Sequence, residues 1–151
     1  MKLLSFPLAA AFAAMLSLTA CGGGGDAGSG NTTNPAATVK ITDTVVGTGA
    51  EAANGSYVLV NYTGWLYSAT AAGNKGTQFD TSVGKAPFDF VIGGNVIPGF
   101  SQGVKGMKVG GKRTIVIPAV LGYGSTGNQK VPPNTDLVFD VELLKICGAT
   151  C

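Results

Sequence analysis

The sequence predicts an α+β domain in which roughly five antiparallel strands form a twisted sheet wrapped around one short helix. Three observations lead there. Glycine supplies 24 of the 151 residues and charged residues only 12%, a balance that suits a loop-rich β protein better than a helical bundle. Tyr57 to Leu66 is dense in β-branched and aromatic residues, the composition of a strand. Ile97, Phe100, Val104 and Met107 fall at i, i+3, i+7 and i+10, which is one face of a helix.

The elements follow in order. Val39 to Val46 alternates well enough for an edge strand, and Gly47 to Gly55 is turn-rich. The strand over Tyr57 to Leu66 leads into Tyr67 to Thr77, an Ala- and Gly-rich stretch that reads as a long loop. Gln78 to Ser82 and Phe88 to Ile92 are short strands flanking a turn at Val83 to Pro87. Pro98 suits the first turn of the single helix, and Gly103 and Gly106 keep that helix short. Lys112 to Pro118 is a strand closed by its proline, Ala119 to Pro133 a long loop, and Leu137 to Ile146 the last strand.

The hydrophobic share of 45% is enough for a packed core, and 151 residues fit one domain with extras. The formal charge of +2, one less without Lys2, offers no basic patch dense enough for nucleic acid. Histidine is absent, so histidine bases, triads and zinc sites are impossible. No Cys or carboxylate group has metal-ligand spacing, and neither a metal nor a cofactor is expected.

Residues 1–20 read as a secretory signal: Lys2 gives a positive start, and the apolar run Leu8 to Leu18 is shorter than the ~20 residues of a membrane span. Its end, Leu18-Thr19-Ala20-Cys21, resembles the lipobox of bacterial lipoproteins, in which the Cys21 thiol is lipidated and becomes the mature N-terminus. An ordinary signal cleaved after Ala20 is the alternative, and it fits badly because it needs a small residue where Leu18 stands. Gly22 rather than Asp after the cysteine favours the outer membrane, facing the periplasm. Residues 21–37, with four glycines and then Ser, Asn, Thr and Pro, form a flexible linker and leave 38–151 as the folded domain. The linker is too short and polar for a dimerisation arm, so a monomer is expected. Cys147 and Cys151 are spaced for a small-loop disulfide in an oxidising compartment; two free thiols and an intermolecular bridge are the open alternatives.

Tyr62, Phe79, Phe88, Phe90, Phe100, Tyr123 and Phe139 lie on different elements. Any one of these rings fits a plain hydrophobic core equally well, but as a set they over-supply it. Asp80 follows Phe79 directly in a strand, so the two should face opposite ways unless the strand bulges; a solvated Asp before a turn is the even alternative. Tyr123 stands between two glycines that leave its ring exposed, and Pro132-Pro133 stiffens the end of its loop. Lys105, Lys108, Lys112 and Arg113 read as a solvated positive face.

In family order, the stretches Val60-Asn61-Tyr62-Thr63-Gly64-Trp65-Leu66, Thr77-Gln78-Phe79-Asp80-Thr81-Ser82, Pro87-Phe88-Asp89-Phe90, Val96-Ile97-Pro98-Gly99-Phe100, Gly106-Met107-Lys108-Val109-Gly110-Gly111, Ile117-Pro118 through Tyr123-Gly124, and Val131-Pro132-Pro133-Asn134 into Leu137-Val138-Phe139-Asp140-Val141 resemble the FKBP-type peptidyl-prolyl cis-trans isomerases, of the bacterial exported lipoprotein kind. The resemblance implies an FKBP-like fold and a pocket lined by Tyr62, Phe79, Phe88, Val96, Ile97, Tyr123, Val131 and Phe139, with Phe100 as the floor where many relatives have Trp. It implies that the Ile97 N–H and the Tyr123 hydroxyl bind substrate or inhibitor carbonyls, and that Asp80 stands at the rim. Its partners would be proline-containing polypeptides and macrolides of the FK506 type. The basic partner often paired with the rim Asp is absent or replaced by Lys85, and Asn128 and Lys130 are more polar than many relatives carry there. A proline-binding module or holdase of the same fold is the competing reading.

Overall fold

The computed structural model describes residues 37–149 and residue 151. The signal expected at 1–20, the lipidation site Cys21 and the linker through 36 lie outside the described residues. Six strands and one helix follow in chain order: β1 Lys40–Val45, β2 Tyr57–Tyr67, β3 Lys75–Thr81, β4 Phe88–Val91, α1 Pro98–Val104, β5 Lys112–Ile117 and β6 Leu137–Cys147. The sheet is antiparallel, in the order β1-β5-β6-β2-β3, with β4 also paired to β2. The expected five strands are therefore five positions across, and a sixth strand shares the last of them. The first part of β2, from Tyr57 to Val60, pairs with β4, and its later part, from Thr63 to Tyr67, pairs with β3.

The stretch read as a loop from Tyr67 to Thr77 is a hairpin. A 3-10 turn at Ala72–Asn74 returns the chain, and β3 opens at Lys75, opposite Tyr67. The small residues there gave no strand signal; pairing with the edge of β2 makes the strand, an effect of tertiary context on weak local preference.

Alternation along the strands builds the core. Val58 and Val60 on β2, Ile115 and Ile117 on β5, and Leu137, Phe139, Val141 and Leu143 on β6 are buried on the face that α1 covers. The helix has only seven residues and is too short to be stable alone. It is held by close approach to β5. A Cβ at Gly99 would lie 2.3 Å from Ile117 Cγ2, and one at Gly103 would lie 2.5 Å from Ile115 Cδ1. The two glycines, one turn apart, thus leave a flat stripe into which the β5 side chains fit.

Arg113 corrects the reading of a solvated basic face. Alternation turns it inward beside Ile115, and it is 9% exposed. Its Nε and Nη2 donate to the two carboxylate oxygens of Asp43, directly opposite on β1, at 2.6 and 3.1 Å. Its Nη1 donates to the carbonyls of Gly103 and Lys105 at 2.9 and 3.0 Å, satisfying groups at the end of α1 that the helix itself cannot. Among the described residues no helix is long and apolar enough to cross a membrane. At the end of β6, Cys147 is joined to Cys151 by a disulfide.

Replacing Arg113 by Met should lower the unfolding free energy by about 2 kcal/mol, because it strands two helix-end carbonyls and the Asp43 partner. Urea denaturation would show this as a lower midpoint at unchanged slope; an unchanged midpoint would show that the clamp contributes nothing.

Candidate functional site

A pocket of about 480 Å³ opens between the sheet and the start of α1, lined by Tyr62, Phe79, Asp80, Phe88, Asn95, Val96, Ile97, Phe100, Tyr123 and Phe139. Its base is a set of rings meeting mostly edge to face. Phe100 and Phe139 lie 5.1 Å apart between centroids, Tyr62 and Phe100 5.8 Å, Tyr62 and Phe88 5.6 Å, and Phe79 and Phe139 5.6 Å. Phe90 backs this set, stacked on Phe88 and itself buried.

Local departures from regular structure bring these groups together. On β2 and β3, Gly64 pairs with Asp80 and the next residue, Trp65, pairs with Gln78. Phe79 is therefore an extra residue in the ladder, a bulge that turns Phe79 and Asp80 toward the same pocket. Gly64 makes room for this: a Cβ there would stand 2.7 Å from Phe139 Cε1 and 2.8 Å from Phe79 Cζ. Pro98 at the first helical position leaves Ile97 as the residue entering α1. The Ile97 carbonyl accepts from Phe100 N–H at 3.0 Å, while its own N–H donates to no protein group among the described residues.

The polar groups stand at the rim. Asp80 Oδ2 accepts from the Tyr62 hydroxyl at 2.7 Å, and Asp80 Oδ1 accepts from Thr81 N–H at 2.9 Å. The Tyr62 backbone is fixed in turn by Ser82 Oγ, which accepts its N–H at 2.9 Å. Burial first, then the hydrogen bond to Asp80 and the charge of that carboxylate, push the Tyr62 phenol far above its ordinary value of 10.0. Burial first, then the Asp80 charge, also raise Tyr123, with the nearby Asn128 side chain acting in the opposite sense.

Of the residues singled out in the sequence, Asp80, Tyr123, Ile97, Tyr62, Phe79, Phe88, Val96, Phe100 and Phe139 all line this one pocket. Val131 does not. It is 1% exposed and belongs to the core cluster, held by reciprocal bonds with Asn128: Val131 N–H donates to Asn128 Oδ1 and Asn128 N–H to the Val131 carbonyl, each at 2.8 Å. Its side chain anchors the loop instead of facing the ligand space. The cation nearest Asp80 is Lys130, with Nζ 3.8 Å from Oδ1, in place of the Lys85 considered from sequence. Asn95 and Gly64 gave no signal: an Asn in a Gly-rich turn and a Gly inside a strand have many ordinary uses.

A single helix held against an antiparallel sheet, with an aromatic pocket at its entry, defines a small binding domain for apolar ligands that carry carbonyl groups. Comparison with known proteins gives the family. Residues 49–144 match the model of the FKBP-type peptidyl-prolyl cis-trans isomerases. The chain is 45% identical over 106 residues to FK506-binding protein 1B of Neurospora crassa, covering 69% of this chain and 93% of that one. It is 43% identical over 109 residues to the FK506-binding protein of Neisseria meningitidis serogroup A, covering 70% and 94%. Among solved structures, FkpA from Escherichia coli superposes with a TM-score of 0.64 at 39% identity, over 74% of this chain and 49% of that one. The chain belongs to the FKBP-type peptidyl-prolyl cis-trans isomerase family.

The raised phenols set an alkaline limit on stability. A tyrosine whose folded-state pKa lies above 10.0 contributes stability that is fully present below that pH and is lost as pH rises through the folded-state value. The unfolding free energy should therefore fall above pH 10, and Tyr62→Phe should make that fall shallower. Denaturation midpoints measured at pH 9 and pH 11 would check it; identical slopes in the two proteins would contradict it.

Proposed function

We propose that this chain accelerates cis-trans isomerisation of X-Pro bonds in exported proteins, held to the periplasmic side of the outer membrane by lipid on Cys21. The observation that carries the catalytic part is the ring-lined pocket with Ile97 N–H, the Tyr123 hydroxyl and Asp80 at its edge. The anchor rests on the sequence that ends in Cys21.

Rotation about an X-Pro bond is slow because amide resonance gives it a barrier of ~18–20 kcal/mol. No covalent bond is made or broken, so no nucleophile or general base is required, and a chain without histidine has the chemistry it needs. In the twisted transition state the resonance is lost and charge separation falls. An apolar, water-poor pocket favours that state over the planar ground state, which is differential binding. Phe79, Phe100 and Phe139 grip the proline ring. Ile97 N–H and the Tyr123 hydroxyl fix the carbonyls, leaving the twist about the imide bond as the free motion. Asp80 fixes Tyr62 at the wall. Raised phenols mean that Tyr62 and Tyr123 remain neutral donors at physiological pH.

Tyr123→Phe should lower kcat/KM for a proline test peptide by about two- to tenfold, the worth of one hydrogen bond. Asp80→Ala should lower it by about tenfold, because it also frees the Tyr62 hydroxyl. Circular dichroism should show both variants folded, and an FK506-type macrolide should inhibit the parent. Full activity in both variants would remove the rim groups from the mechanism.

Cys21→Ser should abolish the incorporation of labelled palmitate into the chain that the parent shows. Two or more acyl chains hold a protein stably, each buried CH₂ contributing ~0.8 kcal/mol, and no other anchor is proposed. A parent that takes up no label, or a variant labelled as strongly as the parent, would overturn the lipid assignment.

A further inference from the structure

We propose that Lys130 makes the pocket select proline segments that carry a carboxylate on a residue next to the proline. This deepens the isomerase reading of the same site and rests on it. Asp80 is the single charged side chain among the residues lining the pocket, and both of its oxygens already accept hydrogen bonds, from Tyr62 O–H and from Thr81 N–H. Lys130 is in the opposite condition. Its ammonium stands 3.8 Å from Asp80 Oδ1, beyond hydrogen-bond distance, makes no hydrogen bond among the described residues, and belongs to a side chain that is 63% exposed.

The backbone beneath that side chain is fixed. Lys130 N–H donates to Asn128 Oδ1 at 2.7 Å, Gly127 N–H to the Tyr123 carbonyl at 3.0 Å, and Asn134 N–H to the Gly124 carbonyl at 2.8 Å, while Val131 is buried beside it. The loop therefore holds the Lys130 ammonium, ion-paired with Asp80 but not hydrogen-bonded to it, at the edge of the pocket and ties it to the same segment as Tyr123.

The rim is asymmetric toward incoming charge. A carboxylate finds ammonium donors that no hydrogen bond occupies and an Asp80 charge already offset by Lys130; a second cation finds both Asp80 oxygens hydrogen-bonded and Lys130 repelling it. The residues flanking a bound proline have Cα atoms only about 2.9 Å (cis) to about 3.8 Å (trans) from the proline Cα, which puts their side chains within reach of the rim. An exposed pair of this kind separates acidic from basic neighbours by about two- to fivefold, and salt weakens it.

The test uses the full chain and peptides with Glu, Ala or Lys immediately before the proline, and a second series varied immediately after it. Exchange is followed by NMR, with no coupling protease. The expected result is a Glu-over-Lys preference in kcat/KM of about two- to fivefold in at least one series, shrinking in 1 M salt, where the Debye length is about 3 Å. Lys130→Glu should invert that order, and Lys145→Glu, an exposed charge change near the end of β6, should leave it as in the parent. An order that Lys130→Glu does not change in either series, or one indifferent to salt, overturns the proposal. No acceleration of the Ala peptides by the parent would instead overturn the isomerase reading itself.

Discussion

The contact between α1 and β5 is the constraint on which the site depends. A seven-residue helix has no independent stability, yet it carries both the Ile97 amide and the Phe100 ring. Gly99 and Gly103 let it approach Ile117 and Ile115 closely, and Arg113 holds its far end from β5 while braced on Asp43. The helix is thus gripped along its length by one strand. Its first turn, the part facing the pocket, inherits its position from the sheet.

A second constraint acts from the other wall. Were β3 a regular strand, Asp80 would point away from Phe79 and the rim would lose its carboxylate. The bulge at Phe79 turns both residues to one side, and Gly64 on β2 clears the space that Phe79 and Phe139 occupy. Asp80 then orders the rim by bonding Tyr62, whose ring is part of the pocket wall. Backbone irregularity and side-chain bonding therefore produce one arrangement between them.

Much of this is legible in the amino-acid sequence. The strand through Tyr57 to Leu66, the helix that starts at Pro98 and the pocket rings are strong local patterns, and the ordered motifs added the family resemblance; the expected helical face runs only to Val104, and Met107 packs in the core beyond the helix end. What stayed hidden was set by pairing partners. β3 begins at Lys75 because β2 has an edge to fill, although Lys75-Gly76-Thr77 has little strand character. Arg113 is buried because alternation in β5 outweighs the company of its lysine neighbours. Val131 was placed at the ligand through resemblance, but its bonds to Asn128 turn it into a loop anchor, and Lys130 takes the place beside Asp80. Alternation alone could have turned Arg113 inward; a spacing rule sees neither of the other two effects, because they depend on contacts between residues distant in sequence or on the way one loop closes on itself.

The same rings serve as core and as pocket, and this decides how the site can be probed. Phe100 and Phe139 are each only 4% exposed, and they pack against one another as well as facing the cavity. Truncating either would remove the apolar surface that favours the twisted imide and also about 3–5 kcal/mol of core stability. Loss of activity in such a variant would therefore not separate chemistry from folding. Asp80, Tyr123 and Lys130 stand at the edge, where removing a polar group leaves the ring packing intact. The division is a physical one: the interior supplies an environment that disfavours the planar, charge-separated amide, and the rim decides which chain enters it and how its carbonyls are held.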